Sequence, residues 1–320
     1  MNSIRHVQGH FKNARDQELF YYSQFPPQDV ALRGIVLFMH GLGEHALRFK
    51  HVFDHLNAHD FGAIAYDMVA RGRSDCDCEN VRGHSDRFAH FVQDTNAFVT
   101  FAKREIIPAM TASDNASAPA LPLIFMGISF GTLVGVHTLL SGEHKFAAAV
   151  LASPAISVQW TPLLVVQSWL SKPLAWAIPY AKIVPAVNIE GLTRDPAFLK
   201  DYLADPLNVT DNLTARMGQE TLMAMAALEA DKRVETPSSA FCAMPFLIIQ
   251  GSEDKVTSLD MAKSFFNRLA NKDKEFKEFH GLFHCIFNEP EKRDVLAHVA
   301  QWLQQRFQVI APAANAHSRL

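Results

Sequence analysis

Pro122-Leu123-Ile124-Phe125-Met126-Gly127-Ile128-Ser129-Phe130-Gly131 joins an apolar run to the pattern G-x-S-x-G. A short apolar run without alternation reads as a strand buried on both faces. A serine in this pattern, between such a strand and a following helix, sits on a turn so sharp that its hydroxyl projects into solvent. Glycine at 127 and 131 suits that turn, because a side chain there would crowd the backbone. With 15 glycines in 320 residues the pattern also arises by chance, so its weight depends on the elements around it.

Those elements repeat one theme. Non-alternating apolar runs at Gly34–Met39, Ala63–Tyr66, Leu123–Met126, Ala147–Leu151 and Phe246–Ile249 predict parallel strands. Between them Phe49, Val52, Phe53 and Leu56, and then Phe88, Phe91, Val92, Thr95 and Phe98, recur at helical spacing. Alternating strand and helix implies right-handed crossovers and a doubly wound, mostly parallel sheet. Reactive groups in such sheets lie beyond the carboxyl ends of the strands, where Ser129 falls. Ahead of this, alternating stretches near Val7–Phe11 and Leu19–Phe25 predict an opening hairpin around Asn13-Ala14-Arg15-Asp16.

One region breaks the theme. From Pro154 to about Glu235 there are prolines at 162, 173, 179 and 185, tryptophans at 160, 169 and 176, and no clear strand. It reads as a helical cap over the carboxyl edge of the sheet, half lid and half interfacial anchor. Its prolines and lysines argue against a membrane span. The expected organisation is a core of residues 1–153 and 236–309, a cap at 154–235, a small-residue loop at 112–119 and a frayed tail at 310–320.

Composition narrows the function classes. Hydrophobic residues make up 48% of the chain and charged residues 20%, the profile of a globular protein. A net charge of −3 gives no electrostatic case for nucleic acid. Cys76, Cys78, Cys242 and Cys285 are too scattered for a disulfide framework, and Cys76-x-Cys78 lacks the further ligands of a tetrahedral metal site. No metal or organic cofactor is expected. The first residues lack the apolar segment of a secretory signal, so a cytoplasmic protein, peripheral to a membrane at most, is expected.

A serine hydroxyl is a weak nucleophile and needs a base, itself oriented by a carboxylate. In this topology the acid follows a late strand and the histidine comes last. Met244–Gly251 is such a strand, and Asp254 follows it in Gly251-Ser252-Glu253-Asp254. The candidate base is His284 in Gly281-Leu282-Phe283-His284. Glu253 and Asp260 rival the acid, and His280 rivals the base. The developing oxyanion also requires backbone donors. Phe130 N–H, directly after the serine, is one; Leu42 N–H, in the loop His40-Gly41-Leu42-Gly43-Glu44-His45, is the other.

Taken together, these segments resemble the α/β-hydrolases of the monoacylglycerol lipase and lysophospholipase type. His40–His45 with Arg48 and Phe49 is similar to that family's H-G-x-G-E-H-x-x-R-Y/F segment, and Asp67 with Arg71-Gly72-Arg73-Ser74 resembles its D-x-x-G-H-G-x-S loop. Tyr202 with Asp205-Pro206-Leu207 resembles a cap segment, and the Asp254 and His284 segments match as well. The resemblance implies the same triad and the same oxyanion donors. It further implies Glu44, Arg48 and Tyr202 near a polar head-group pocket; an internal Glu44–Arg48 ion pair bracing the loop is the alternative. Two departures stand out: Ile128 and Phe287 occupy positions where mammalian-type relatives carry histidine.

The expected activity is a serine ester hydrolase acting on single-acyl lipids such as monoacylglycerols or lysophospholipids, with the cap sheltering the acyl chain. The rivals are a broad carboxylesterase, an aminopeptidase using the cap acids Glu190, Asp195, Asp201 and Asp205, and a catalytically silent binding protein on the same fold.

Overall fold

Alternation along β1 (Arg5–Lys12) and an apolar β2 (Glu18–Phe25) give the opening hairpin, paired antiparallel from Arg5↔Phe25 to Lys12↔Glu18. The chain continues through β3 (Gly34–Met39), α1 (Lys50–Asn57), β4 (Phe61–Tyr66), α2 (Phe88–Phe101), α3 (Ile107–Thr111), β5 (Leu123–Ile128), α4 (Phe130–Ser141) and β6 (Ala148–Ala152). Then come α5 (Pro162–Ala177), β7 (Lys182–Val184), α6 (Pro196–Ala204), β8 (Leu213–Thr214) and α7 (Ala215–Ala230). The last elements are β9 (Phe246–Gly251), α8 (Leu259–Arg268), β10 (Lys274–Phe279) and α9 (Lys292–Arg306). This computed structural model describes residues 3–78, 81–111, 120–157, 162–185, 187 and 189–309. The expected loop at 112–119, Trp160 and the tail at 310–320 lie outside the described residues.

The eight-stranded sheet has the order β1-β2-β4-β3-β5-β6-β9-β10. Strands β4, β3, β5, β6, β9 and β10 run parallel, while β2 meets β4 antiparallel. From β3 the chain moves outward to β4 on one side and later returns to β5 on the other. The order therefore reverses between β3 and β5, and the loops leaving their carboxyl ends part to leave a crevice. Ser129 follows β5 and the His40–His45 loop follows β3, so both predicted segments stand at that crevice.

Successive side chains of a strand face opposite ways, so each central strand feeds two cores. On one face Leu37, Phe125 and Ile248 pack with Phe91 and Phe98 of α2, Leu133 and Val134 of α4 and Phe265 of α8. On the other, Phe38, Met126 and Ile249 pack with Phe53 of α1 and with Val299 and Trp302 of α9. Both layers are closed with fully buried rings, each removing about 1.5–3 kcal/mol worth of apolar surface from water.

The insertion between β6 and β9 is mainly helical, as its prolines and missing alternation suggest, with one correction. Lys182 pairs with Thr214 and Val184 with Leu213, making a two-stranded antiparallel piece where no strand was expected. Segments of two and three residues are too short to display a period of two, which is why the sequence hides them. Pro196 at the start of α6 and the Asp195 carboxylate, which accepts from Ala197 and Phe198 N–H, define that helix's first turn.

Candidate active site

The elbow is strained as the pattern requires. Ser129 has φ 54° and ψ −127°, a left-handed conformation costly for a residue with a Cβ. The surrounding packing holds it there: Ser129 N–H donates to Ala152 O at 3.0 Å, and its carbonyl accepts from Thr132 N–H at 2.9 Å and Thr132 Oγ1 at 2.6 Å. Helix α4 begins at the next residue, leaving Phe130 N–H in the first turn without an intrahelical partner. Gly131 lets this turn lie against the end of β3, since a Cβ there would sit 2.5 Å from the carbonyl oxygens of both Met39 and His40.

Across the crevice, His284 Nδ1 lies 2.9 Å from Asp254 Oδ2. Their side chains are 3% and 0% exposed, so the pair is sealed from water. Asp254 Oδ1 accepts from Val256 and Thr257 N–H, and Oδ2 also accepts from Thr257 Oγ1 at 2.7 Å and Gln250 Nε2 at 3.0 Å. Burial opposes the charge on Asp254. The attraction and hydrogen bond of His284, with the bonds from Thr257, outweigh it and lower the pKa. Ser153 Oγ donates to His284 O at 2.6 Å and fixes the backbone of the histidine. The rivals stand apart, with Glu253 and Asp260 exposed and the His280 side chain 89% exposed.

Leu42 belongs to a loop pinned from within. His40 is fully buried, and burial drives its pKa down to about 3, so the ring is neutral. Its Nδ1–H donates to Gly41 O at 2.7 Å and its Nε2 accepts from Met68 N–H at 3.0 Å. A trans peptide points its N–H away from its C=O, so holding Gly41 O also sets the direction of Leu42 N–H. Asp67 anchors the next turn by accepting from Ala46 and Arg73 N–H.

One cavity gathers Gly41, Leu42, Gly43, Glu44, Ile128, Ser129, Val187, Leu192, Tyr202, His284 and Cys285. Ser129, His284, Leu42, Glu44 and Tyr202 thus share a single wall set, while Asp254 stands behind His284. A larger hollow of about 220 Å³ between α7 and α8 includes Ile156, Lys232, Glu235 and Arg268 but neither Ser129 nor His284. Lys232 and Arg268 there both pair with Glu235. Of the two apolar departures, Ile128 borders the cavity, whereas Phe287 is fully buried in the core against Phe38.

Arg48 makes its shortest contacts with the cap. Its Nε is 3.8 Å from Glu44 Oε1, at the limit of an ion pair, while its Nη1 meets Asp201 at 3.0 Å and Asp205 at 3.1 Å. Its guanidinium also covers the rings of Phe198 and Tyr202 at 5.0 and 5.4 Å. Asp205 accepts in addition from His45 Nε2 at 2.9 Å. Arg48 and His45 therefore tie the core loop to the cap. The Val209 N–H bond to Gly43 O at 3.0 Å adds to this seam. Glycine at 43 permits the contact: a Cβ would lie 2.6 Å from both Tyr202 Oη and Val209 O.

Residues missed in the sequence are the braces Gln250, Thr257 and Ser153. Gln250 alone left a trace, as a polar side chain ending an apolar strand. Among the described residues no three His, Cys, Asp or Glu side chains gather as metal ligands, and no helix is long and apolar enough to cross a membrane.

Known proteins agree with this architecture. A monoacylglycerol lipase of Mycolicibacterium smegmatis is 29% identical over 277 residues, covering 86% of this chain and 89% of that protein. Phospholipase YtpA of Bacillus subtilis is 24% identical over 262 residues, covering 82% and 91% respectively. The crystal structure of Paleococcus ferrophilus monoacylglycerol lipase superposes with a TM-score of 0.73 at 24% identity, covering 90% of this chain and 99% of that one. The family profile described as serine aminopeptidase, S33, matches residues 31–291, and with this fold the chain belongs to that family of α/β-hydrolases, a family of serine hydrolases.

Proposed function

We propose that the protein is a serine esterase that hydrolyses single-acyl lipids, monoacylglycerols or lysophospholipids, through an acyl-enzyme on Ser129. The observation that carries this reading is the sealed Asp254–His284 pair, 2.9 Å apart, with His284 sharing a cavity with a serine on a strained elbow. In the proposed reaction Ser129 Oγ adds to the ester carbonyl carbon and its proton passes to His284 Nε2. The carbonyl electron pair moves to oxygen, which accepts from Leu42 and Phe130 N–H. Collapse expels the alcohol, which takes the proton from His284, and water then repeats the sequence on the acyl-enzyme. Asp254 keeps the Nδ1 proton in place and stabilises the imidazolium. No cofactor enters this reaction.

The names of the relatives support the lipid substrate, one being a monoacylglycerol lipase and another a phospholipase. So does the cap, proposed to span residues 154–235: Trp169 and Trp176 are 75% and 83% exposed, with Leu174, Ile178 and Ile183 also at the surface. Such side chains suit contact with a membrane from the cytoplasmic phase. In the polar pocket Glu44 and Tyr202 are the proposed head-group contacts, with Arg48 supporting them. A broad carboxylesterase is the second reading, favoured by apolar Ile128 at the cavity wall. Of the four cap acids on which the aminopeptidase reading relies, Asp195 caps α6 and Asp201 and Asp205 bind Arg48, which leaves Glu190.

Ser129→Ala should abolish hydrolysis of a soluble chromogenic ester while thermal unfolding stays unchanged, and retained turnover refutes the assignment. A panel of monoacylglycerols, lysophospholipids and short esters then tests the substrate class, with preference for the short esters favouring the carboxylesterase.

A further inference from the structure

Arg71 is a fully buried cation that the proposed reaction does not use. Its three nitrogens all donate to backbone carbonyls: Nε to Leu42 O at 2.9 Å, Nη1 to Val69 O at 2.8 Å and Nη2 to Gly83 O at 3.1 Å. No carboxylate among the described residues forms an ion pair with it, and Asp77 attracts it only from farther away. Its guanidinium lies 5.0 Å from the ring centre of Phe91 and 5.9 Å from that of Phe130. A buried charge without a counter-ion is expensive, and a fold keeps one only where its surroundings replace the lost water. Here three carbonyl dipoles and two ring faces do so. Burial lowers the pKa to about 10, so the group remains charged at neutral pH.

The two residues it touches nearest the cavity are Leu42 and Phe130, which carry the proposed oxyanion donors. Leu42 is held on both sides, since His40 binds the carbonyl of the peptide before it and Arg71 binds the carbonyl of the peptide after it. With both flanking peptides fixed, the backbone torsions of Leu42 cannot relax. The ring of Phe130 meanwhile lies beside the guanidinium at the first turn of α4. The arginine stands where the D-x-x-G-H-G-x-S pattern has histidine.

We infer that Arg71 is a positioning residue of the oxyanion hole, locking the Leu42 peptide and placing a buried positive charge behind both donors. This rests on the serine-esterase reading above. Its contribution appears when Ser129 adds to the carbonyl carbon and the electron pair moves to oxygen, because only then does negative charge form in front of the cation.

The test compares wild type with Arg71→Met, which keeps the bulk, and Arg71→Lys, which keeps the charge but loses the fork. Folding is checked by thermal unfolding. For each protein kcat and KM are measured on a soluble chromogenic ester. Inhibition is measured with an aryl trifluoromethyl ketone, whose adduct with Ser129 is an oxyanion, and with a non-reactive amide analogue of the substrate. Arg71→Met should lose about 10²-fold in kcat, and the same factor in affinity for the trifluoromethyl ketone, at unchanged KM and unchanged amide affinity. Arg71→Lys should fall between the two. Folded Arg71→Met with wild-type kcat, or equal losses for ketone and amide, overturns the inference. Should Arg71→Met not fold, Arg71→Lys decides: wild-type kcat and ketone affinity overturn it, and matched losses support it. A wild-type protein that neither turns over esters nor reacts with a fluorophosphonate probe refutes the esterase reading instead.

Discussion

Replacing Glu44 by glutamine should stabilise the protein at pH 8 and leave its stability unchanged at pH 4.5. Glu44 is 7% exposed, and its Oε1 has no hydrogen-bond partner. Arg48 is 3.8 Å away with its Nη1 engaged by the cap. Burial therefore prevails over the attraction of Arg48 and raises the pKa from the ordinary 4.5 to about 7. Between these values the folded protein holds a proton that the unfolded chain has released, so stability falls as pH rises through the window. At 1.36 kcal/mol per pH unit, the gap from 4.5 to about 7 amounts to about 3 kcal/mol once Glu44 is ionised. That is a large part of a typical total of about 5–15 kcal/mol. Glutamine keeps the size and removes the titration. Urea unfolding of both proteins at pH 4.5, 5.5, 6.5 and 8, at constant ionic strength, should show the difference opening toward about 3 kcal/mol. A difference that is constant with pH, or a variant less stable at pH 8, would mean that the Glu44–Arg48 attraction outweighs burial, and the reasoning would fail.

Three further outcomes are expected. Asp254→Asn should lower kcat on a chromogenic ester by about 10⁴-fold, because an amide can donate where the carboxylate accepts and so favours the wrong histidine tautomer; KM should stay close to wild type. Gly131→Ala adds a methyl 2.5 Å from the carbonyl oxygens of Met39 and His40, so thermal unfolding should reveal a loss at or above the upper end of about 1–3 kcal/mol. Trp169→Ser with Trp176→Ser should weaken sedimentation with phosphatidylcholine vesicles several-fold while turnover of a soluble ester is unchanged, and undiminished vesicle binding would remove these residues from the membrane contact.

Much of the architecture was legible because it depends on pattern. The non-alternating runs named the parallel strands, and chain order between strands singled out Asp254 and His284 from their neighbours, which the structure brings together at 2.9 Å. What stayed hidden depends on partners distant in sequence. Thr257 and Ser153 read as ordinary hydroxyls until the fold brings one to the Asp254 carboxylate and the other to His284 O. Asp201 and Asp205 looked like a free acidic patch, because nothing local says that Arg48, more than 150 positions earlier, is their partner. The strands β7 and β8 escaped because a two- or three-residue segment has no measurable period. Arg71 was visible as a residue of a loop motif, but its burial and its bond to Leu42 O follow only from three-dimensional packing.

The seam between Gly43 and Val209 bears on how this enzyme family could be re-engineered. An insertion in a core loop invites transplantation, since its ends leave and rejoin the scaffold at neighbouring strands. Here the foreign segment would have to bring its own match for a His40–His45 loop shaped around Tyr202 Oη and Val209 O, to which Gly43 has already surrendered its side chain. It would also have to offer two carboxylates to Arg48, one of which also meets His45. A chimera joined only at the ends of the insertion would inherit an unsupported loop beside Ser129. Grafts that move the segment around 201–209 together with residues 43–48 are the natural unit of exchange.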